Sequence, residues 1–249
     1  MKNKSYIVLI KLLAKHSVQT RTDLEALIFS HGDKKISFCI ASENFDFKKY
    51  KNESILHLDQ VIREPKKITA IILSKLKLNK IIYARSCEVK RVAKSTAVEF
   101  LENYHIMGST QSALNLGLFN KDELVGLASF SKGRKMNRLK EDQRSFELIR
   151  FCCKSGVTVT GGLTRLVKNF CNEKMAGDIM TYVDKQLSDG SSFIRAGFKK
   201  HSETEPNYFL VNRISYERTS AQKGEKFDSK KFYLSHNSGN VKLVYTPGE

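Results

Sequence analysis

Residues 158–200 read TVTGGLTRLVKNFCNEKMAGDIMTYVDKQLSDGSSFIRAGFKK. A β-rich run stops at Gly161-Gly162 and leads straight into an amphipathic helix, LTRLVKNFCNE. A strand, DIMTYVD, follows and ends on Asp184; after it come a short helix and a Gly-Phe corner at Gly197-Phe198. A helix N-terminus exposes backbone N–H groups and a partial positive charge, and glycine lets a phosphate come close to them. Gly161-Gly162 with Leu163 and Thr164 therefore reads either as a phosphate cradle or as a tight corner in a core.

Working outward from this β-α-β stretch, the preceding strand is SFELIRFCC, with Arg150 set among apolar residues. Before it stand ALNLGLFN and ELVGLASFSKG, joined by the turn pair Lys121-Asp122 and predicting a hairpin. KSTAVEFLENY predicts a helix over 94–104. From there onward the predicted order is α-β-β-β-α-β-α-β. The tail FYLSHNSGNVKLVYT reads as a closing hairpin turning at Asn237 to Asn240, and Ser188-Asp189-Gly190 as a turn that caps the following helix. Upstream, residues 5–15 and 20–30 read as short helices, the second capped by Thr20 or Thr22. KISFCIA and ESILHLD read as strands, and Pro65 opens a helix. The predicted fold class is α+β. A small α/β domain spans residues 1–80, and a domain with a mixed central sheet flanked by helices spans 81–249.

Composition narrows the function. The chain has 249 residues, 41% hydrophobic and 28% charged, which suits a globular protein with a substantial core. No apolar run is long enough to span a membrane. The start, MKNKSYIVLIKLLAKHSVQT, is interrupted by Lys11 and Lys15 and predicts a first helix rather than a leader, so a cytoplasmic location is expected. Five cysteines without a CxxC spacing argue against disulfides and structural zinc, leaving free thiols. Lys plus Arg outnumber Asp plus Glu by 43 to 26, a net charge of +17. Such a field attracts polyanions, and nucleic acid is the expected partner. The segment between the second and third strands of the later domain holds Lys132, Arg134, Lys135, Arg138, Lys140 and Arg144. It reads as a basic loop for a phosphate backbone or as a solvated connection.

The hairpin LGLFNKDELVGLASFSKG, the strand ELIRFCC, the turn and helix TVTGGLTRLVKNF, and YVDKQLSDGSSFIRAGFKK together resemble the GNAT acyltransferase superfamily. The resemblance implies that the Gly161-Gly162 turn holds the pyrophosphate of acetyl-CoA or another acyl donor. The superfamily's Arg/Gln-rich signature is absent. Over residues 80–245 the spaced series from IYARSCEVK to SGNVKLVYT is similar to the Mom-type phage DNA-modification proteins. It is also similar to the domain at the C-terminal end of Vsr-like phage homing endonucleases. That likeness implies action on adenine in DNA in a bacterial host cell, with Tyr104-His105, Arg150 and Asp184 at functional positions and Phe193 where those proteins carry a tyrosine.

On its own chemistry His105 suits a base, a metal ligand or a helix C-cap. Asp184, ending a strand, suits proton transfer, metal binding or capping of the next turn. A buried Arg150 needs a carboxylate or phosphate, with Glu147 and Asp184 as candidate partners. A target base inside a duplex must be flipped out, or the substrate is single-stranded. ILHLDQVIREPKKITAIILSKLKLNKIIYARSCEVK resembles the junction after the nuclease core of the homing endonucleases, of which only His57 and Asp59 stand out here. The expectation is a transferase modifying a base amine in nucleic acid. The alternatives are a non-catalytic DNA-binding protein and an active endonuclease whose metal ligands the sequence leaves unknown.

Overall fold

Lys121 and Asp122 both adopt left-handed backbone, with φ of 49° and 63°. That is the geometry of a two-residue hairpin turn whose twist matches antiparallel strands. The hairpin it closes lies inside the largest sheet of the protein, seen here in a computed structural model that describes residues 6–23, 26–50 and 53–248. The side chain of Asp23 lies outside this description, as do residues 1–5, where the first predicted helix begins.

In chain order the first elements are α1 (Ile7–Ala14), β1 (Gln19–Asp23), β2 (Ala26–His31), β3 (Lys34–Ala41), β4 (Ile55–His57), α2 (Leu58–Arg63) and α3 (Pro65–Lys75). Next come β5 (Lys80–Tyr83), a 3₁₀ turn at Ala84–Ser86, β6 (Glu88–Arg91), α4 (Lys94–Tyr104), β7 (Leu114–Asn120), β8 (Glu123–Phe130) and β9 (Ser145–Cys153). They continue with β10 (Val157–Thr160), α5 (Gly162–Lys174), β11 (Asp178–Asp184), α6 (Ser191–Arg195), β12 (Lys199–Glu203) and β13 (Tyr208–Asn212). The last are β14 (Arg218–Ala221), β15 (Phe232–His236) and β16 (Asn240–Tyr245).

The seven-stranded sheet runs β12-β16-β11-β9-β8-β7-β6. Its β6 to β9 part is antiparallel throughout, whereas β9 and β11 are parallel, so the sheet is mixed. Parallel neighbours need a crossover connection, commonly a helix, and α5 lies on the connection from β9 to β11. The apolar stripe of α5 (Leu163, Leu166, Val167, Phe170) packs with Leu116, Leu118, Ala128, Phe130 and Leu148. Phe130 stacks on Phe170 with centroids 3.8 Å apart, and Phe146 meets Phe170 edge-on at 5.0 Å. On α4, Ala97, Phe100 and Leu101 pack with Leu127. Alternation along β7 and β8 thus gives each helix its own set of sheet residues. The result is the expected α+β architecture, a central mixed sheet flanked by helices.

The expected division into 1–80 and 81–249 was contiguous; the compact units are not. One unit comprises residues 1–77, 184–189 and 203–240, and the other 78–183, 190–202 and 241–249. The first contains a four-stranded sheet, β1-β2-β3-β4, and a three-stranded one, β14-β13-β15. The helix expected over 20–30 is instead the β1–β2 hairpin, with Thr20 opposite Phe29 and Thr22 opposite Leu27. The tail is not a hairpin either. β15 pairs with β13, while β16 enters the large sheet between β12 and β11. The side-chain oxygen of Asn237 accepts the N–H groups of Asn207 and Gly239, both at 2.9 Å, and so bends the chain away from a simple return. ESILHLD is half strand and half helix, because α2 begins directly after His57. Gly190, the last residue of the Ser188-Asp189-Gly190 turn, is the N-cap residue of α6, with φ of 76°. Among the described residues no helix is long and apolar enough to cross a membrane.

Candidate functional site

Parallel pairing of β9 and β11 covers only Ser145–Glu147 opposite Asp178–Met180. Beyond that both strands continue, to Cys153 and Asp184, without further pairing to each other. At the point of separation the Thr181 hydroxyl donates to the Leu148 carbonyl at 2.9 Å, a side chain replacing a ladder bond. The sheet is therefore split at the C-terminal ends of two parallel strands. Open α/β sheets characteristically bind ligands in such a crevice.

The chain between those strands passes through Gly161-Gly162. Gly161 is exposed and left-handed, with φ of 77°. Gly162 is buried, and a Cβ there would meet Leu118 Cδ1 at 2.8 Å and Val159 at 3.1 Å. The two glycines thus have different causes. Gly162 allows helix–sheet contact, and Gly161 allows the reversal. Among the described residues no side chain caps α5, so its first N–H groups are left for solvent or a ligand. Leu163 is buried in the core, and Thr164 is half-buried at the helix start. Arg165 donates to the Ala84 carbonyl at 2.7 Å and holds the β5–β6 connection beside this end of the helix.

A second group assembles on the α4 face. Asn115, Ser129 and Arg150 are successive cross-strand partners on β7, β8 and β9, so they form one polar row. Ser129 is fully buried, and its hydroxyl donates to the Asn115 side-chain oxygen at 2.7 Å. Arg150 donates to the carbonyls of Gly108 at 3.3 Å and Ile149 at 3.0 Å. Among the described residues no ion pair to it is present, so Glu147 on the same strand does not neutralise the guanidinium. Burial pulls its pKa below the usual arginine range, and the charge of Glu147 opposes that shift.

Gly108 belongs to the loop after α4. His105 closes that helix, and its Nδ1 accepts the Met107 N–H at 3.1 Å, which puts the neutral ring's proton on Nε2. Glu102 accepts from the Ser109 N–H at 2.8 Å and hydroxyl at 2.6 Å. Tyr104 packs edge-on against Phe100 at 4.7 Å. Tyr104, His105 and Arg150 are therefore gathered around one folded loop. Asn115, Ser129 and Thr181 were not singled out in the sequence. The available signal was a polar residue at an inward position of an apolar strand.

Asp184 is placed differently. It belongs to the other compact unit. Its Oδ1 accepts the Gln186 N–H at 2.8 Å, and its Oδ2 accepts from the Asn237 amide at 3.3 Å. Burial raises its carboxyl pKa, with those hydrogen bonds opposing. Capping of the following turn accounts for its position. Phe193 lies edge-on to Phe198 at 5.6 Å, at the margin of the α5 core.

The basic segment is also divided. Arg138 pairs with buried Asp178 at 2.6 Å, and Arg144 folds back on the carbonyls of Glu141 at 2.6 Å and Gln143 at 2.8 Å. Lys132, Arg134, Lys135 and Lys140 are exposed and make no ion pair among the described residues. His57 and Asp59 are both buried in unit one. His57 donates through Nε2 to Gln186 at 2.8 Å, and Asp59 takes a bidentate pair from Arg218. Among the described residues no group of three His, Cys, Asp or Glu side chains is arranged to hold a metal ion. All five cysteines are free thiols. Burial raises the pKa of Cys87 and Cys153 and pushes that of Cys171 up to about 11, so these stay protonated at neutral pH.

No protein-family model matches this chain, and no curated protein matches it. Solved structures similar to it include a Bacillus subtilis acetyltransferase in complex with CoA, at 13% identity. The alignment covers 64% of this chain and 98% of that one, with a TM-score of 0.38. A GNAT family acetyltransferase from Elizabethkingia anophelis with acetyl-CoA bound is 9% identical over 65% of this chain and 98% of its own, with a TM-score of 0.39. The ribosomal-protein-S18-alanine N-acetyltransferase of Escherichia coli is 8% identical, over 64% and 93% respectively, with a TM-score of 0.40.

Proposed function

We propose that the unit carrying the seven-stranded sheet is a transferase that takes an acyl group from a CoA thioester and delivers it to a base amine in nucleic acid. The observation that carries this reading is the separation of β9 from β11 after Glu147 and Met180, with the uncapped start of α5 on the connection between them. The residues suit the donor. Backbone amides of Gly161, Gly162, Leu163 and Thr164 would hold a pyrophosphate, and Gly161 carries no side chain to obstruct it. A bound thioester supplies an activated acyl carbon and a thiol leaving group. Transfer to the amine would form a C–N bond at the expense of the C–S bond, the amine proton leaving with the thiol. Arg150, held by the Gly108 and Ile149 carbonyls, is the charged group toward the acceptor. Lys132, Arg134, Lys135 and Lys140 supply the sequence-independent grip on phosphates.

Gly161→Asp tests the donor site with two readouts of different expected sign. A carboxylate at the N-cap complements the helix dipole, and aspartate is among the residues that tolerate left-handed φ. The melting temperature is therefore expected to stay within a few degrees of wild type. Affinity for acetyl-CoA, measured by calorimetry, is expected to fall at least about tenfold, because like charges meet where phosphate must sit. Equal affinity in both proteins would remove the α5 terminus from the reaction.

A second reading, a DNA-binding protein without catalysis, is favoured by the engaged state of the expected proton acceptors. Both Asp184 oxygens and His105 Nδ1 already accept hydrogen bonds. Mass spectrometry of nucleosides from DNA incubated with protein and acetyl-CoA separates the two. An added acyl mass on a base supports the transferase, and unmodified DNA that nevertheless binds supports the second reading.

A further inference from the structure

The unit built from β1 to β4 contains a cavity of about 350 Å³ that plays no part in the reaction above. Its walls are the rings of Tyr6, Phe45 and Tyr50, its floor includes Leu27, and Asn44 and Asp46 bring polar atoms to it. The volume falls in the range of small-molecule sites, and an aromatic lining with a few polar groups is their usual composition. The loop over it is organised in advance. Phe45 and Tyr50 stack at 5.1 Å with planes 26° apart. Asp46 Oδ1 accepts the N–H groups of Lys48 at 3.0 Å and Lys49 at 3.2 Å. Glu43 is clamped by Arg213, with Nη2 to Oε1 at 2.6 Å. Phe47 anchors the loop from below, with its ring 4.1 Å from that of His236.

The chemistry of the lining selects among occupants. A lipid chain would leave the Asn44 amide and Asp46 Oδ2 without partners. An organic cation would meet the Lys49 ammonium, already 4.7 Å above the Tyr50 ring. A flat, uncharged ring with an amine on its edge satisfies all of them: faces for the aromatic walls, and N–H donors for Asp46 Oδ2, which has no hydrogen-bond partner among the described residues. Lys48, exposed on the same loop, suits a phosphate attached to that ring.

We propose that this cavity binds an amine-bearing nucleobase carrying a phosphate. The base comes from a free nucleotide or from single-stranded nucleic acid. The inference is independent of acyl transfer, since no residue of the α5 terminus takes part. It is tested on the full chain in the Gly161→Asp background, which weakens the donor site as a place for nucleotides. Tyrosine emission is convenient because the chain contains no tryptophan. AMP, GMP, CMP and TMP are titrated beside ribose 5-phosphate, and six-residue oligonucleotides form a second arm.

The expected result is that at least one of AMP, GMP and CMP binds about tenfold or more tightly than both TMP and ribose 5-phosphate. Asp46→Asn keeps the Oδ1 acceptor for the loop and replaces the outer oxygen by a donor. It should weaken that nucleotide about tenfold, since a hydrogen bond to a charged group is lost. Phe45→Leu retains apolar bulk without a ring face and should weaken it about fivefold or more. An oligonucleotide that binds about tenfold more tightly than its mononucleotide identifies nucleic acid as the source, and equal affinities identify a free nucleotide. Absence of nucleotide binding overturns the inference. So does equal binding of ribose 5-phosphate, or unchanged affinity in both variants at wild-type melting temperature.

Discussion

His57 shows how one residue couples burial to function-neutral chemistry. It is 4% exposed, and burial, aided by the Arg218 charge, lowers its pKa from 6.5 to about 4. The folded value lies below the unfolded one. Stability from the neutral ring is thus complete above about pH 6.5 and is lost as pH falls toward 4. At full effect this is worth about 3 kcal/mol. His57→Gln preserves a donor to Gln186 without titrating. In urea unfolding, the wild type is expected to lose about 3 kcal/mol more than the variant between neutral pH and pH 4. Parallel pH profiles would show that the ring does not carry the difference. This pair also explains why the residue-level reading of the sequence stopped short. His57 and Asp59 stand out as a possible nuclease remnant, yet their partners Gln186 and Arg218 lie 129 and 159 positions away. No local pattern announces such pairs. Arg150, by contrast, was legible as a charged residue in an apolar strand, because only its immediate neighbours were needed to see the conflict.

At the scale of elements, the Lys121-Asp122 turn is a correct shape made from unfavourable residues. Both are left-handed, and the asparagine-glycine pair is the usual choice there. Asp122 makes only a 3.8 Å contact to Lys90 from an almost fully exposed position, which contributes little. Asp122→Gly should therefore stabilise the unit by about 0.5–1 kcal/mol, as glycine removes the penalty for positive φ. Calorimetry should show a rise of a few degrees, and a fall would mean that the turn is not strained. The same hairpin was readable from sequence because turn and strands are adjacent. So was the β9-α5-β11 path, whose periodicities switch cleanly. The β1–β2 hairpin was missed because Thr20 and Thr22 suit a helix cap as well as an alternating strand. The β15–β16 segment was misread because Asn237 looks like a turn residue and is one, but its hydrogen bond to Asn207 sends the two strands into different sheets.

For the whole molecule, a charge of +17 predicts attraction to polyanions, but the structure separates cations that are committed from cations that are available. Arg138 is committed. Its partner Asp178 is 3% exposed and has a second oxygen buried without a hydrogen bond, so Arg138→Ala would leave a buried carboxylate worse satisfied. That substitution should cost about 1–3 kcal/mol in stability, reduced from the fully buried case by the exposure of the guanidinium. Among the described residues Lys132 and Lys135 have no such partner, so Lys132→Glu with Lys135→Glu should leave the melting temperature within about 2 °C of wild type. The two classes should then exchange places in a binding assay. Each phosphate contact releases counterions, so log affinity for duplex DNA against log salt has a slope of about −0.9 per contact. The double Glu variant should flatten that slope by about 1.8 units and weaken low-salt binding, with little dependence on DNA sequence. Arg138→Ala, examined below its melting transition, should change the slope by less than about 0.5 units. A flat salt response in the wild type would show that the net charge is only surface solvation. A slope that Arg138→Ala changes and the double variant does not would place the contact on the ion-paired side of the segment, against the division of labour derived from Asp178.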